Sequence, residues 1–162
     1  MTALAHGFRR PRSGHHTGGV DIAAELAAPC PPEVLFHWVS DLGRYPQWLE
    51  IVTKAEAADD GSWAVDLRGR MGPLARTKRL RMVRTERVEP AKVVFQRAEV
   101  DGRQHSRWTL TVEVTPTEDG SALAMNLHYG GGLFEPLIER VLRDEIERSR
   151  HRLLELVTAD AG

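Results

Sequence analysis

Apolar residues in this chain recur with two different periods, and the change from one to the other marks out its elements. Val20, Ile22, Ala24 and Leu26 alternate with Asp21 and Glu25, the pattern of a half-buried strand. Cys30-Pro31-Pro32-Glu33 stops that strand and starts a helix over Val34 to Val39, because proline is tolerated in the first helical turn. Ser40-Asp41 caps a second short helical turn through Tyr45, which Gly43 weakens and Pro46 ends. Between Ile51 and Tyr129 six further strands follow, separated by Asp59-Asp60-Gly61, Met71-Gly72-Pro73, Glu89-Pro90, Asp101-Gly102 and Glu118-Asp119-Gly120. Strands joined by such short turns form an antiparallel meander. Alternation in Trp63/Val65/Leu67, Leu80/Met82, Trp108/Leu110/Val112/Val114 and Leu123/Met125/Leu127/Tyr129 makes one face of that sheet apolar.

That face needs a cover, and the chain has one long helix to supply it. From about Leu133 to Val157 the residues Phe134, Ile138, Val141, Leu142, Ile146, Leu153 and Leu156 fall on one side at helical spacing. The expectation is an α+β domain over residues 20–160: a seven-stranded antiparallel sheet wrapped around a long C-terminal helix, with two short helices after strand one. Trp108, Leu110, Met125, Leu127, Ile138 and Leu142 should then share one apolar interior. Residues 1–19 (MTALAHGFRRPRSGHHTGG) lack apolar periodicity and read as a flexible tail outside the domain.

Composition narrows the picture without changing it. A chain of 162 residues buries roughly two-thirds of its unfolded surface, enough for a core without staples. Its 41% apolar and 28% charged residues describe an ordinary globular protein. Apolar runs are far too short to span a bilayer, so no membrane span and a cytoplasmic location are expected. The single cysteine, Cys30, excludes an internal disulfide and reads as a small residue before a helix. A formal charge of −1 gives no global pull toward nucleic acid, and a homodimer is left open.

Candidate chemistry is sparse. His15, His16, His37, His105, His128 and His151 show no H-E-x-x-H or other ligand spacing, so neither a metal nor another cofactor is expected. No G-x-S-x-G elbow is present, and no catalytic residue is assigned. Gly130-Gly131-Gly132 opens the last helix without a phosphate-loop sequence and reads as a hinge. Arg68, Arg70, Arg76, Lys78, Arg79, Arg81, Arg84 and Arg87 form a basic run with Glu86. Arg68, Arg70, Arg79 and Arg81 oppose the apolar phase and read as a solvated outer face. Arg76 and Lys78 share the phase of Leu80 and Met82, which turns them inward where an anionic ligand could be met. On the last helix Ser149 falls within the apolar stripe and Glu145 at its flank; each is a ligand contact or, equally, a packing serine and a solvent-facing glutamate. Tyr129 ends the last strand on the apolar side, as a hydrogen-bonding pocket residue or a core ring.

Two stretches carry a resemblance to a known family. PPEVLFHWVSDLGRYPQWL, Pro31 to Leu49, contains the D-x-x-x-Y-x-x-W arrangement of Asp41, Tyr45 and Trp48; RWTLTVEVTPTEDGSALAMNLHY, Arg107 to Tyr129, leads through a glycine turn into an aliphatic strand. With the element order, these resemble the polyketide cyclase/dehydrase and lipid-transport superfamily of START and Bet v 1-like helix-grip proteins, over residues 20–158. The resemblance implies a cavity between sheet and helix for lipids, polyketides or other apolar compounds, in which some members carry out cyclisation or dehydration. The strand and helix phases nominate Leu67, Leu80, Met82, Leu110, Met125 and Leu127 as its wall, with Phe134, Ile138, Val141, Leu142, Glu145 and Ser149 facing them from the helix. Trp48, Met71, Leu74, Arg76, Trp108 and Tyr129 complete the expected ligand-binding set. Because alternate connections of a meander share an end, Met71-Gly72-Pro73-Leu74, Tyr45-Pro46-Gln47-Trp48 and Gly130 to Gly132 are expected to form the mouth. The first functional expectation is a binder of a small hydrophobic or aromatic molecule. The alternatives are a polyketide cyclase or dehydratase using Tyr129, Glu145 or Arg76 for proton transfer, and a regulatory or toxin-like interaction protein acting through its basic strands.

Overall fold

A computed structural model of the chain describes residues 19–71, 74–130 and 135–162, without the side chains of 70, 71, 74–76 and 135–139. Strand β1 (Val20–Ala28) leads into helix α1 (Pro32–Val39) and a 3-10 helix (Leu42–Gln47). Pro46 stands inside that second helix and the Asp41 carboxylate caps it, accepting from the Gly43 amide at 2.8 Å. Strands β2 (Val52–Ala57), β3 (Ser62–Met71), β4 (Leu74–Val88), β5 (Lys92–Arg97), β6 (Trp108–Thr117) and β7 (Gly120–Tyr129) follow, and α2 (Glu135–Ala161) closes the chain. All seven strands form one antiparallel sheet in the order β1-β7-β6-β5-β4-β3-β2. The seven strands, two short helices and long last helix are the elements that the periodicity predicts, in the helix-grip architecture that the resemblance implies.

Register places the apolar residues on one face. Leu127 stands opposite both Ile22 and Leu110, and Leu123 opposite both Leu26 and Val114. Bulges in β2 between Val52 and Lys54, and between Arg84 and Glu86 where β4 meets β5, interrupt the pairing and add curvature. The β6–β7 turn depends on Gly120, whose φ is +148° and whose missing side chain leaves room for the Ala28 carbonyl; a Cβ there would lie 2.3 Å from that oxygen.

The two short helices pack against the sheet, the first on β6 and β7 and the second on β2 and β3. Tyr45, Phe36, Phe95, Val39 and Val93 are at most 1% exposed. Phe95 meets Trp63 edge-on at 5.7 Å and Tyr45 at 6.4 Å. The Trp38 indole donates to Asp160 at 2.8 Å, fastening α1 to the end of α2. On the outer face, Arg79 reaches across to its strand partner Asp66 with two hydrogen bonds of 2.7 and 3.0 Å. Arg81 pairs with Asp60 at 2.8 Å, and Arg87 with Glu89 at 2.9 Å. Arg84 turns toward the 3-10 helix, donating to the Ser40 carbonyl with its guanidinium 5.6 Å from the Trp63 ring. This much of the basic run is bound to its own neighbours.

Candidate functional site

Between the inner sheet face and α2 the core is hollow, leaving a cavity of about 130 Å³ with an almost wholly apolar wall. Strand alternation supplies most of that wall. Leu67, Leu80, Met82, Trp108, Leu110, Met125 and Leu127 all border the cavity, as their shared phase predicts. Trp48 joins them from the end of the 3-10 helix, and Leu142, Glu145 and Ser149 from α2. Leu110, Met125 and Leu127 are only half-buried, because no described side chain fills the space before them.

Two expected wall residues are not on it. Tyr129 is buried but packs its ring against Trp108 at 4.7 Å; the indole on the neighbouring strand stands between it and the cavity. Val141 is spent on a helix-to-sheet contact, its methyl lying 3.8 Å from the point where Gly69 of β3 would carry a Cβ. The side chains of Met71, Leu74, Arg76 and Ile138, and Phe134 altogether, lie outside the described residues, as do Gly72, Pro73, Gly131 and Gly132 of the expected mouth. What can be placed there is the register, with Arg76 opposite Gly69 and Met71 opposite Leu74.

The polar groups on the wall differ in their commitments. Ser149 donates to the Glu145 carbonyl at 2.6 Å and lies 3.1 Å from the Ile146 carbonyl, so its proton is spent within the helix. Glu145 does not escape to solvent: its side chain is 14% exposed, one oxygen accepts from Arg148, and the other is buried without a partner. The buried indole N–H groups of Trp48 and Trp108 and the Nε of Arg150 also lack partners. Lys78 is exposed, with its ammonium 5.6 Å from the Trp108 ring and 5.7 Å from the Tyr129 ring. Desolvation, reinforced by the Arg97 charge and opposed by Glu99, holds its pKa below the usual lysine value.

Several wall residues escaped the sequence reading. Leu42 and Leu49 line the cavity from the segment before β2, beside Tyr45 of the expected mouth, and Arg150 and Glu25 border it from α2 and β1. Arg150 was findable, since it lies one helical turn beyond Ile146; its charge kept it out of the apolar stripe. Among the described residues no three histidine, cysteine or acidic side chains gather as metal ligands. His128 and His105 instead face Asp21 and Asp101, at 2.9 and 2.8 Å. Cys30 is buried beneath Ser121, which donates to its carbonyl at 2.9 Å. No described helix is long and apolar enough to cross a membrane.

A family model described as polyketide cyclase/dehydrase and lipid transport matches residues 20–158. The uncharacterized protein Rv1546 of Mycobacterium tuberculosis is 27% identical over 143 residues, 85% of this chain and 96% of the relative. The crystal structure of TTHA0849 from Thermus thermophilus is similar with a TM-score of 0.65 at 20% identity, covering 88% of this chain and 100% of that one. A START superfamily protein from Mycobacterium smegmatis gives 0.64 at 15% identity, covering 88% and 99%. At such identities the structures share a fold with this chain.

Proposed function

Because the chain belongs to the polyketide cyclase/dehydrase and lipid transport family, we propose that it binds a small hydrophobic or aromatic molecule non-covalently between the sheet and α2. The observation that carries this reading is the hollow itself: about 130 Å³ in a domain that buries Phe95 and Val93 completely beside it. Interiors close-pack by default, so a void of this size forfeits dispersion contacts that a ligand restores. The proposed ligand contacts are Trp48, Leu67, Leu80, Met82, Trp108 and Leu110 with Met125, Leu127, Leu142 and Glu145. Titration calorimetry against acyl chains and aromatic compounds tests the proposal. Saturable binding of at least one class is expected, and absence of heat from every compound would sink it.

One observation favours a second reading, a cyclase or dehydratase working in the same space. The unpartnered Glu145 oxygen is a carboxylate on an apolar wall, where it can accept a proton from a carbon acid. Confinement would supply much of the remaining acceleration. Turnover of a linear polyketone that disappears in Glu145→Gln, with binding kept, is the result this reading requires.

A further inference from the structure

The hollow is walled by carbon. Leu67, Leu80, Met82, Leu110, Met125 and Leu127 border it, and its surface is apolar almost throughout. The polar groups close by are committed elsewhere. Ser149 donates to the Glu145 carbonyl, the Tyr45 hydroxyl donates to the Val39 carbonyl, and one Glu145 oxygen accepts from Arg148. Nε1 of Trp48 and of Trp108, Oε2 of Glu145 and Nε of Arg150 have no partner among the described residues, but neighbouring atoms seal each of them from a water-sized molecule, so none opens on the hollow. The described residues thus offer almost no hydrogen-bonding surface to a molecule held there.

Resting on the binding reading above, we infer that the ligand is a compact hydrocarbon of single-ring size without hydrogen-bonding groups, and that the site rejects acyl-chain lipids and oxygen-rich polyketides alike. Polarity is the first filter. A hydroxyl or carbonyl that enters this space gives up its water and receives nothing in return, at a loss of roughly tenfold to a hundredfold in affinity per group. A polyketone suffers that loss at every carbonyl, and the proton transfer of the second reading requires Glu145 first to turn its sealed oxygen into the hollow. Size is the second filter. An apolar cavity of about 150 Å³ stays dry and takes up benzene, and this one is of the same order at about 130 Å³. A fused second ring or a long acyl chain fits only if the wall moves, and a close-packed interior resists that movement.

Affinities of the full chain for toluene, phenol, naphthalene and palmitate, from titration calorimetry and protein NMR shifts, test both filters. Toluene and phenol have nearly the same shape and differ by a methyl against a hydroxyl. Toluene should bind about 100-fold more tightly, the discrimination an apolar pocket reaches against an added hydroxyl. A ratio under about tenfold means that a hydrogen-bonding partner stands inside, and it overturns the inference while leaving the binding reading intact. Naphthalene probes size, because general hydrophobic affinity rises with area and would rank it above toluene. Here it should rank below. Naphthalene or palmitate at or above toluene overturns the inference in the same way. Met125→Gln then sets an amide on the half-buried wall, and the toluene-to-phenol ratio should fall at least about tenfold. A folded Met125→Gln protein with an unchanged ratio holds the ring elsewhere, which overturns the assignment to this hollow. The series on the unsubstituted protein does not depend on how that variant folds. No binding of any of the four probes removes the binding reading itself.

Discussion

The inner face of this sheet has two regions built from the same alternation of apolar residues, one filled and one hollow, and they meet where Phe95 of β5 stands opposite Leu110 of β6. In the filled region Val93 and Phe95 are fully buried, with the Tyr45 and Trp63 rings against Phe95, and the Tyr45 hydroxyl is spent on the Val39 carbonyl. In the hollow region Leu110, Met125 and Leu127 are half-buried, and four polar atoms around them stand without partners. The strands do not make the difference; the covers do. Short helices bring large rings close to β5, whereas α2 presents Ser149, Glu145 and Leu142 to the cavity and makes its close approach at Gly69, beside Val141. One part of the face is thus committed to stability, and its neighbour gives up packing to keep a space.

Cutting a large side chain from each region should break the symmetry most visibly. Phe95→Ala is expected to cost about 3–5 kcal/mol, because the rings of Trp63 and Tyr45 close around a void that cannot collapse. Leu110→Ala only enlarges an existing hollow, and about 2 kcal/mol or less is expected. Denaturant unfolding of both variants measures the contrast. Equal losses would mean that the two regions are packed alike.

A subtler cut is Tyr45→Phe, where the filled region borders the hollow; it keeps the ring and strands the Val39 carbonyl. A loss of about 1–2 kcal/mol is expected. Burial, helped by the Asp41 charge, pushes the Tyr45 hydroxyl far above its ordinary pKa, so it stays protonated and the loss should not vary with pH up to about 10. A loss that shrinks as pH rises toward that value would mean the hydroxyl titrates and is not sealed in.

Filling the hollow should do the reverse. Ala24 stands on β1 opposite Met125, half-buried on the cavity wall, and Ala24→Leu places an isobutyl group where the ligand would sit. Thermal unfolding should show a gain of about 0.5–1 kcal/mol, with calorimetry showing ring-probe binding abolished. A destabilised variant that still binds would show that the space lies elsewhere or opens on demand.

How far the sequence carries depends on which of these regions is asked about. Strand order, both short helices and the apolar face follow from period and punctuation, because a one-residue slip would have turned Leu110 and Leu127 outward. Alternation assigns a face but not a depth, which is why Tyr129, correctly turned inward, ends behind Trp108 and off the wall. Val141 fails for a related reason: a helix stripe is wider than the cavity it covers, and its edge lands on Gly69. Glu25 was passed over because it stands in the polar phase of β1, and Arg150 because its charge set it outside the apolar stripe. That Trp48 and Trp108 lack acceptors depends on what stands across from them, which no single segment records.

The smallest effect is expected on the outer face, where neither region of the comparison applies. Asp66 accepts from Nε and Nη2 of Arg79, and these bonds hold its carboxyl below the usual carboxylate range against a smaller opposing effect of desolvation. Its folded pKa is therefore below the unfolded value of about 3.9, so its contribution is complete above that pH and is lost as pH falls through the folded value. Asp60, held low by Ser62 first and Arg81 second, responds in the same sense, so the wild-type slope is shared. Asp66→Asn removes one share: its stability should fall less steeply than wild type between about pH 5 and about pH 2. Arg79 is 68% exposed, so added salt should shrink the difference further. Phe95→Ala, with no titrating group lost, should instead lower the whole pH curve in parallel. Matching acid slopes for Asp66→Asn and wild type would show that the outer pair leaves the carboxyl of Asp66 unperturbed in solution.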